Sequence, residues 1–300
     1  MGKRCPLWVG SGREDNLCVT GRLHQDYLAL QLRFASRYAA LTGVPIVDAV
    51  VGCTNLRRRF GLWGTAGDAG WARFLNQIQA CSHHNDLLAV SMAAHAKACR
   101  PNQSSFGCFT YDPPDAQGTL RLHFMPDERH MKASPLAERS RSERRSELRA
   151  LFMEVRRLHP GALRVRGLSW LYHVQAYKCL FPATYVASVA PPTEPLNMNG
   201  SSTWGQVLDY RHQLKPGVAK LVLAGLGAST VSAPWRAFPL QPLAAACSVD
   251  HFFDWFAEAE RQPGLLHGSF GPGPDVRRNG KFADGERLDA YPGRRTPWNS

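Results

Sequence analysis

Apolar side chains recur every three or four residues through the first hundred positions of the chain. The first such set consists of Leu23, Tyr27, Leu30, Phe34, Tyr38 and Leu41. This spacing places the apolar positions on one side of an amphipathic helix, which Thr42-Gly43 is suited to end. Similar patterns predict helices over 45–60, 71–79 and 86–99. We therefore predict a helical region over residues 21–103, preceded by a flexible leader over residues 1–20, where the pattern has no period.

After residue 104 the pattern changes to alternation. SFGCFTY and TLRLHFM flank DPPDAQG, whose prolines and glycine suit a turn, so we predict a β-hairpin. A helix over 141–159 should follow, then a strand entering GLSW, and further strands in TYVASVA and QPLAAACSV. The remaining predicted helices lie near 204–210, 216–225 and 250–260. The predicted fold class is α+β, with a mixed sheet flanked by helices over 104–260 and a mostly disordered Gly/Pro/Arg-rich tail over 261–300.

The composition indicates a cytoplasmic protein with a core of its own. The 300 residues are 44% hydrophobic, and they contain neither a secretory signal pattern nor an apolar run long enough to cross a bilayer. The eight cysteines are scattered without a C-x-x-C pair, as expected in a reducing compartment. Cys81, His83 and His84 could be metal ligands, but adjacent histidines do not easily reach one tetrahedral ion. We expect no metal.

The formal net charge of +12 raises the possibility of a nucleic-acid partner. The two sharpest basic clusters are Arg57-Arg58-Arg59 and the run from Arg139 to Arg157. In the second, glutamates interleave with the arginines, as on a solvated helix face. No motif of a known nucleic-acid-binding module accompanies the charge. We therefore expect a small-molecule substrate, no specific nucleic acid and no membrane partner. The oligomeric state does not follow from the sequence.

A candidate site lies where two predicted strands end. His123 is near the carboxyl end of the second hairpin strand, and Ser169, Trp170 and Tyr172 follow the strand after the long helix. A right-handed crossover would make these two strands parallel neighbours, so their carboxyl ends would meet at one edge of the sheet. Ligands commonly bind in the crevice outside such an edge.

Two other interpretations of these residues stay open. Trp170 and Tyr172 could be core aromatics, with His123 a hydrogen-bonded structural residue. Alternatively, Gly167-Leu168-Ser169 could be the nucleophile elbow of a serine hydrolase, with Asp209 and either His212 or His251 completing a triad. The elbow pattern G-x-S-x-G departs at Leu171, where a glycine normally relieves crowding.

Residues 120–190 resemble the GNAT-like C-terminal acyltransferase domain of bacterial proteins that have a helical N-terminal part. The resemblance rests on a strand ending in LHF, a loop with SPL, a long helix ending at His-Pro, a strand leading to SWL, and a helix ending at Leu-Phe-Pro. The rest of the chain resembles a group of proteobacterial proteins. The chain departs from the superfamily pattern in ERHMKASPLAERS, which lacks the glycines that hold the cofactor's pyrophosphate.

This resemblance implies acyl transfer from an acyl-CoA, acetyl-CoA or carrier-protein thioester to an amine. It makes His123 the base, and Ser169 or Tyr172 the hydrogen-bond donor to the leaving thiolate or the oxyanion. Arg129, Arg139 and Arg141 would contact the cofactor's phosphates, and Trp170 would lie beside the cofactor. A non-catalytic binding or scaffold protein that retains the fold is the main alternative.

Overall fold

A computed structural model describes residues 14–62, 64–96, 106–126, 133–194 and 196–261, with side chains from residue 25 onward. Five helices precede the sheet: α1 Glu14–Thr42, α2 Ile46–Cys53, α3 Leu56–Arg59, α4 Gly64–Gln79 and α5 His84–Ala96. Helix α1 begins inside the segment predicted as a leader. The helix predicted over 45–60 is divided by Thr54 and Asn55. Among the described residues, no helix is both long and apolar enough to cross a membrane.

Four strands form one mixed sheet: β1 Phe109–Asp112, β2 Thr119–Phe124, β3 Arg164–Ser169 and β4 Leu243–Ser248. The strand order is β1-β2-β3-β4, and only β2 and β3 pair in parallel. The α+β fold class, the hairpin and the parallel pairing of the two candidate site strands are therefore confirmed. Helix α6, Arg141–Leu158, makes the crossover between β2 and β3.

The remaining helices are short: α7 Gln175–Lys178, α8 Ala183–Ala187, α9 Ser201–Trp204, α10 Pro216–Gly225 and α11 Asp250–Arg261. Single-turn 3₁₀ helices cover Glu138–Ser140, Trp170–His173, Gly205–Val207 and Pro234–Ala237. The strand predicted in TYVASVA is wrong, because Thr184 to Ala187 lie in α8, and of this segment only Ala190 pairs with the sheet, through an isolated bridge to Ala244. Pro182 directly precedes α8, and Tyr185 of α8 is fully buried in the core below the sheet. Tertiary packing of this one large side chain outweighs the β preference of a Tyr-Val segment.

The two faces of the sheet differ in chemistry because side chains alternate along each strand. Leu120, Leu122, Val165, Gly167 and Ala245 lie on the buried face, which α6, α8 and α11 cover with Phe152, Tyr185 and Phe252. The other face, here called the polar face, carries Thr110, Asp112, Arg121, His123, Arg164, Arg166 and Leu168.

Helix α1 is shared between two further cores. One of its sides packs with α2, α4 and α5 around Leu28, Leu32 and Phe74. Another side packs against the segment 198–238, where the fully buried Trp204 contacts Phe34 edge-on and donates its Nε1 hydrogen to the Cys53 carbonyl over 3.1 Å. A segment that follows the first three strands thus completes a core begun by the N-terminal helices. The predicted domains at 21–103 and 104–260 stay predictions.

Candidate functional site

A histidine–aspartate pair crosses the hairpin on the polar face. His123 Nε2 lies 2.9 Å from Asp112 Oδ2, with 30% of the His123 side chain and 45% of the Asp112 side chain exposed. The hairpin register creates this pair: His123 is opposite Thr110 and Arg121 is opposite Asp112, so His123 reaches Asp112 diagonally on one face. Both groups therefore remain accessible to a ligand.

The electrostatics of the pair determine which nitrogen carries the hydrogen. The hydrogen bond from His123 holds the pKa of Asp112 below its usual value, and the nearby Arg58 and Arg121 add to this effect, while partial burial opposes it. Asp112 is therefore ionised at neutral pH and can only accept. It follows that His123 donates from Nε2, and that Nδ1 of the neutral ring is the nitrogen able to take a proton.

Several arginines lie near the His123–Asp112 pair. Arg121 is the direct cross-strand partner of Asp112 on one side and of Arg166 on the other. Arg166 Nη2 lies 3.6 Å from Glu194 Oε2. Burial lowers the pKa of Arg58, which lies on the short helix α3. The charge of Asp112 opposes this decrease, and the charges of Arg59 and Arg121 add to it. Positive charge thus collects beside the histidine.

The structure does not bring Ser169 and Tyr172 to His123. Strands β2 and β3 are parallel neighbours and their carboxyl ends share an edge, but Leu122 and Gly167 point into the buried face. The next residue, His123, therefore belongs to the polar face, whereas the Tyr172 ring lies in the core with 2% exposure. Alternation along β3 gives Ser169 the same side as Gly167, and the 3₁₀ turn that follows carries Tyr172 into the core, so both lie away from the face of His123.

Tyr172 is part of a buried tyrosine cluster. Its hydroxyl lies 2.7 Å from the hydroxyl of Tyr185, and its ring packs against the ring of Tyr177, with the centroids 5.3 Å apart. Burial raises the pKa of Tyr172 well above the usual tyrosine value, with Tyr185 adding to the increase. Gly167 leaves room for this cluster, because a Cβ there would lie 2.1 Å from the Tyr172 hydroxyl. These contacts are those of a packing motif in the core.

Ser169 is used by its own turn. Its Oγ accepts the backbone N–H of Leu171 over 3.1 Å and so caps the 3₁₀ turn that follows β3. Asp209, the acid of the alternative hydrolase triad, accepts the backbone N–H groups of Arg211 and Gln213, each over 2.8 Å. His251 is exposed on α11, and His212 adopts a left-handed backbone conformation with φ 59°. These hydrogen bonds give Ser169 and Asp209 local structural roles.

The predicted cofactor residues occupy other parts of the molecule. Trp170 lies beneath Lys215, whose Nζ is 5.3 Å from the ring centroid, and burial lowers the pKa of Lys215. Arg139 is exposed in the turn before α6, and Arg141 Nη2 lies 3.6 Å from Glu138 Oε1 at the start of α6. Helix α6 covers the buried face of the sheet, not the face of His123. Arg129 lies outside the described residues.

Sequence reasoning missed Asp112, Arg121 and Arg58. The first two could have been found, because a hairpin closed by DPPDAQG places Asp112 opposite Arg121 and diagonal to His123. Arg58 could not, since its position depends on how α3 packs relative to the sheet. In the described part of the chain no group of three or more His, Cys, Asp or Glu side chains is arranged to hold a metal ion, and Cys81 donates to the Gln77 carbonyl.

Known proteins offer no guide to this site. Comparisons of the chain with protein-family models, curated proteins and solved structures give no match. The resemblance of residues 120–190 to GNAT-like acyltransferase domains therefore stays a prediction. Function has to be argued from the side chains of the polar face.

Proposed function

We propose that this protein transfers an acyl group from a thioester to an amine, with His123 as the general base. The observation that carries the proposal is the 2.9 Å pair between His123 Nε2 and Asp112 Oδ2 on an accessible face of the sheet. A carboxylate on one ring nitrogen holds the imidazole in a single tautomer and stabilises the imidazolium that forms when the other nitrogen takes a proton. The pair is therefore suited to general base catalysis near neutral pH.

The proposed step follows from this arrangement. The amine nitrogen attacks the thioester carbonyl while His123 Nδ1 takes a proton from that nitrogen, and the amide forms as the carbon–sulfur bond breaks. The imidazolium then returns the proton to the departing thiolate, so that the products are an amide and a free thiol. The arginines beside His123 suit an acyl-CoA donor, because they favour the approach of its phosphates.

A specific observation favours a second candidate, a binding protein without catalysis. The predicted oxyanion donors do not serve the step, because Ser169 caps its own turn and Tyr172 is paired with Tyr185 in the core. The arginines of the polar face would still bind an anionic ligand. The two candidates differ in turnover and not in binding.

The test measures thiol release from a series of acyl-CoAs in the presence of amine acceptors. We expect His123→Ala to lower kcat/KM by about 10²- to 10⁴-fold, the usual contribution of a positioned base. Asp112→Asn should lower it through loss of the tautomer, and His83→Ala, an exposed loop histidine, should have no effect.

Two results would argue against the proposal. Thermal stabilisation by acyl-CoA without thiol release, at any acyl length, would assign the site to the binding protein. Thiol release that is equal in His123→Ala and the parent would show that another group supplies the base. Ser169→Ala serves as a further comparison, since its activity should stay within about twofold of the parent if Ser169 only caps its turn.

A further inference from the structure

Two arginines lie directly opposite each other on the polar face. Arg121 of β2 and Arg166 of β3 are Cα partners in the parallel ladder, so their backbones are about 4.8 Å apart, the ordinary strand spacing. Like charges in directly opposed positions destabilise a sheet. Arg164 lies two residues from Arg166 on the same face. The free protein thus holds a repulsive arrangement that a bound anion would relieve.

The nearby carboxylates compensate for this charge only partly. Asp112 is the cross-strand partner of Arg121, but its Oδ2 accepts the hydrogen bond of His123. Glu194 lies 3.6 Å from Arg166, with 70% of its side chain exposed, so solvent screens this ion pair. The site therefore retains an excess of positive charge.

We propose that Arg121 and Arg166 form a binding site for the adjacent phosphates of a small phosphorylated ligand. The guanidinium is a planar fork whose two N–H groups match two oxygens of a phosphate, and Arg is the usual residue at such sites. Arg121 and Arg166 lie side by side in one cross-strand row of the ladder, which suits a compact pyrophosphate group better than a nucleic-acid strand.

This site borders the proposed base without depending on it. The charges of the polar face are the same whether or not His123 catalyses acyl transfer. If His123 does act as the base, the phosphorylated ligand is the nucleotide end of the acyl-CoA. The phosphate-binding role predicted for Arg129, Arg139 and Arg141 then belongs to Arg121 and Arg166.

Calorimetric titration of the full chain with inorganic pyrophosphate tests the proposal. Arg121→Gln and Arg166→Gln should each weaken binding by about tenfold or more, the effect of removing one charge-assisted contact. Arg73→Gln removes the same charge from an exposed position on α4 and should leave the affinity unchanged. Arg121→Lys keeps the charge without the fork and should bind with intermediate affinity.

Thermal melting in the absence of ligand separates binding from structural roles. Because Arg121 and Arg166 repel each other, Arg121→Gln should melt at the parent's temperature or above it. A lower melting temperature with unchanged pyrophosphate affinity would make Arg121 a structural residue and overturn the proposal. Equal weakening by Arg73→Gln would also overturn it, since the effect would then be one of total charge.

Two further binding measurements distinguish a phosphate site from a catalytic site and from a nucleic-acid surface. His123→Ala should keep pyrophosphate binding, so that loss of acyl transfer and loss of phosphate binding are separable results. A single-stranded RNA that binds more tightly than pyrophosphate, and loses that affinity in Arg121→Gln, would identify a nucleic-acid surface instead of a small-ligand site.

Discussion

Replacing Gly167 with alanine tests how the tyrosine cluster fits beneath the sheet. A Cβ at this position would lie 2.1 Å from the Tyr172 hydroxyl and 2.4 Å from the Tyr185 hydroxyl. Both rings are buried, at 2% and 0% exposure, so neither can move into solvent. Either β3 must shift or the 2.7 Å contact between the two hydroxyls must break.

The free energy of unfolding should fall by about 2–5 kcal/mol. Overpacking a core typically costs about 1–3 kcal/mol. Leaving the hydroxyls without their bond costs roughly a similar amount, about 1–3 kcal/mol. The lower chain entropy of unfolded alanine offsets only about 0.4–1 kcal/mol. For a domain of this size each kcal/mol shifts the melting temperature by about 2–4 °C.

Urea unfolding in two backgrounds isolates the clash. In the Tyr172→Phe/Tyr185→Phe protein the colliding oxygens are absent, and the nearest remaining ring atom of residue 172 would be 3.3 Å from the new Cβ. In that protein Gly167→Ala should lower the free energy of unfolding by less than about 1 kcal/mol. The difference between the two backgrounds is then a coupling energy of the size found for residues in contact. Gly161→Ala is the matched control, since nothing lies within 4 Å of its Cβ position. An equal loss of stability in both backgrounds would show that the two hydroxyls are not what the new Cβ collides with.

Three further predictions concern other parts of the chain. The lowered pKa of Asp112 means that its carboxylate stabilises the folded state above about pH 4 and loses that effect as the pH falls, and the contribution should be under about 1 kcal/mol because the side chain is half-exposed. The unfolding free energies of Asp112→Asn and the parent should therefore converge in acid, and a difference that stays constant with pH would contradict this. Arg144 is fully buried, with Nη2 2.8 Å from Glu147 Oε1, so Arg144→Met should lower the free energy of unfolding in urea by about 3–5 kcal/mol. Adding Glu147→Gln should recover part of this loss, and no recovery would mean that the Glu147 carboxylate, once deprived of Arg144, is not its cause. Trp204→Ala should lose about 3–5 kcal/mol by the same assay, and a loss under about 1 kcal/mol would show that the core between α1 and residues 198–238 contributes little.

Local pattern was sufficient for much of the fold. The three- and four-residue period through Phe34 predicted α1, and α10 was predicted with its observed bounds, Pro216–Gly225. The turn residues between β1 and β2 predicted the hairpin, and the helix after it implied the parallel neighbour β3. These features depend on interactions between residues close in the chain, or on the general handedness of crossovers, and both can be read from a sequence.

The candidate site depended on information of another kind. Periodicity shows that a strand has two faces, but not which face meets the core, and this decided that His123 pairs with Asp112 and not with Tyr172. The ring of Tyr185 in α8 likewise lies beside Gly167, a contact between segments that local periodicity does not record. Local patterns were enough for most helices and strands and for the handedness of the crossover. Which side chains share a face depended on the packing of distant segments, because packing energy acts between segments whose mutual position no local pattern records.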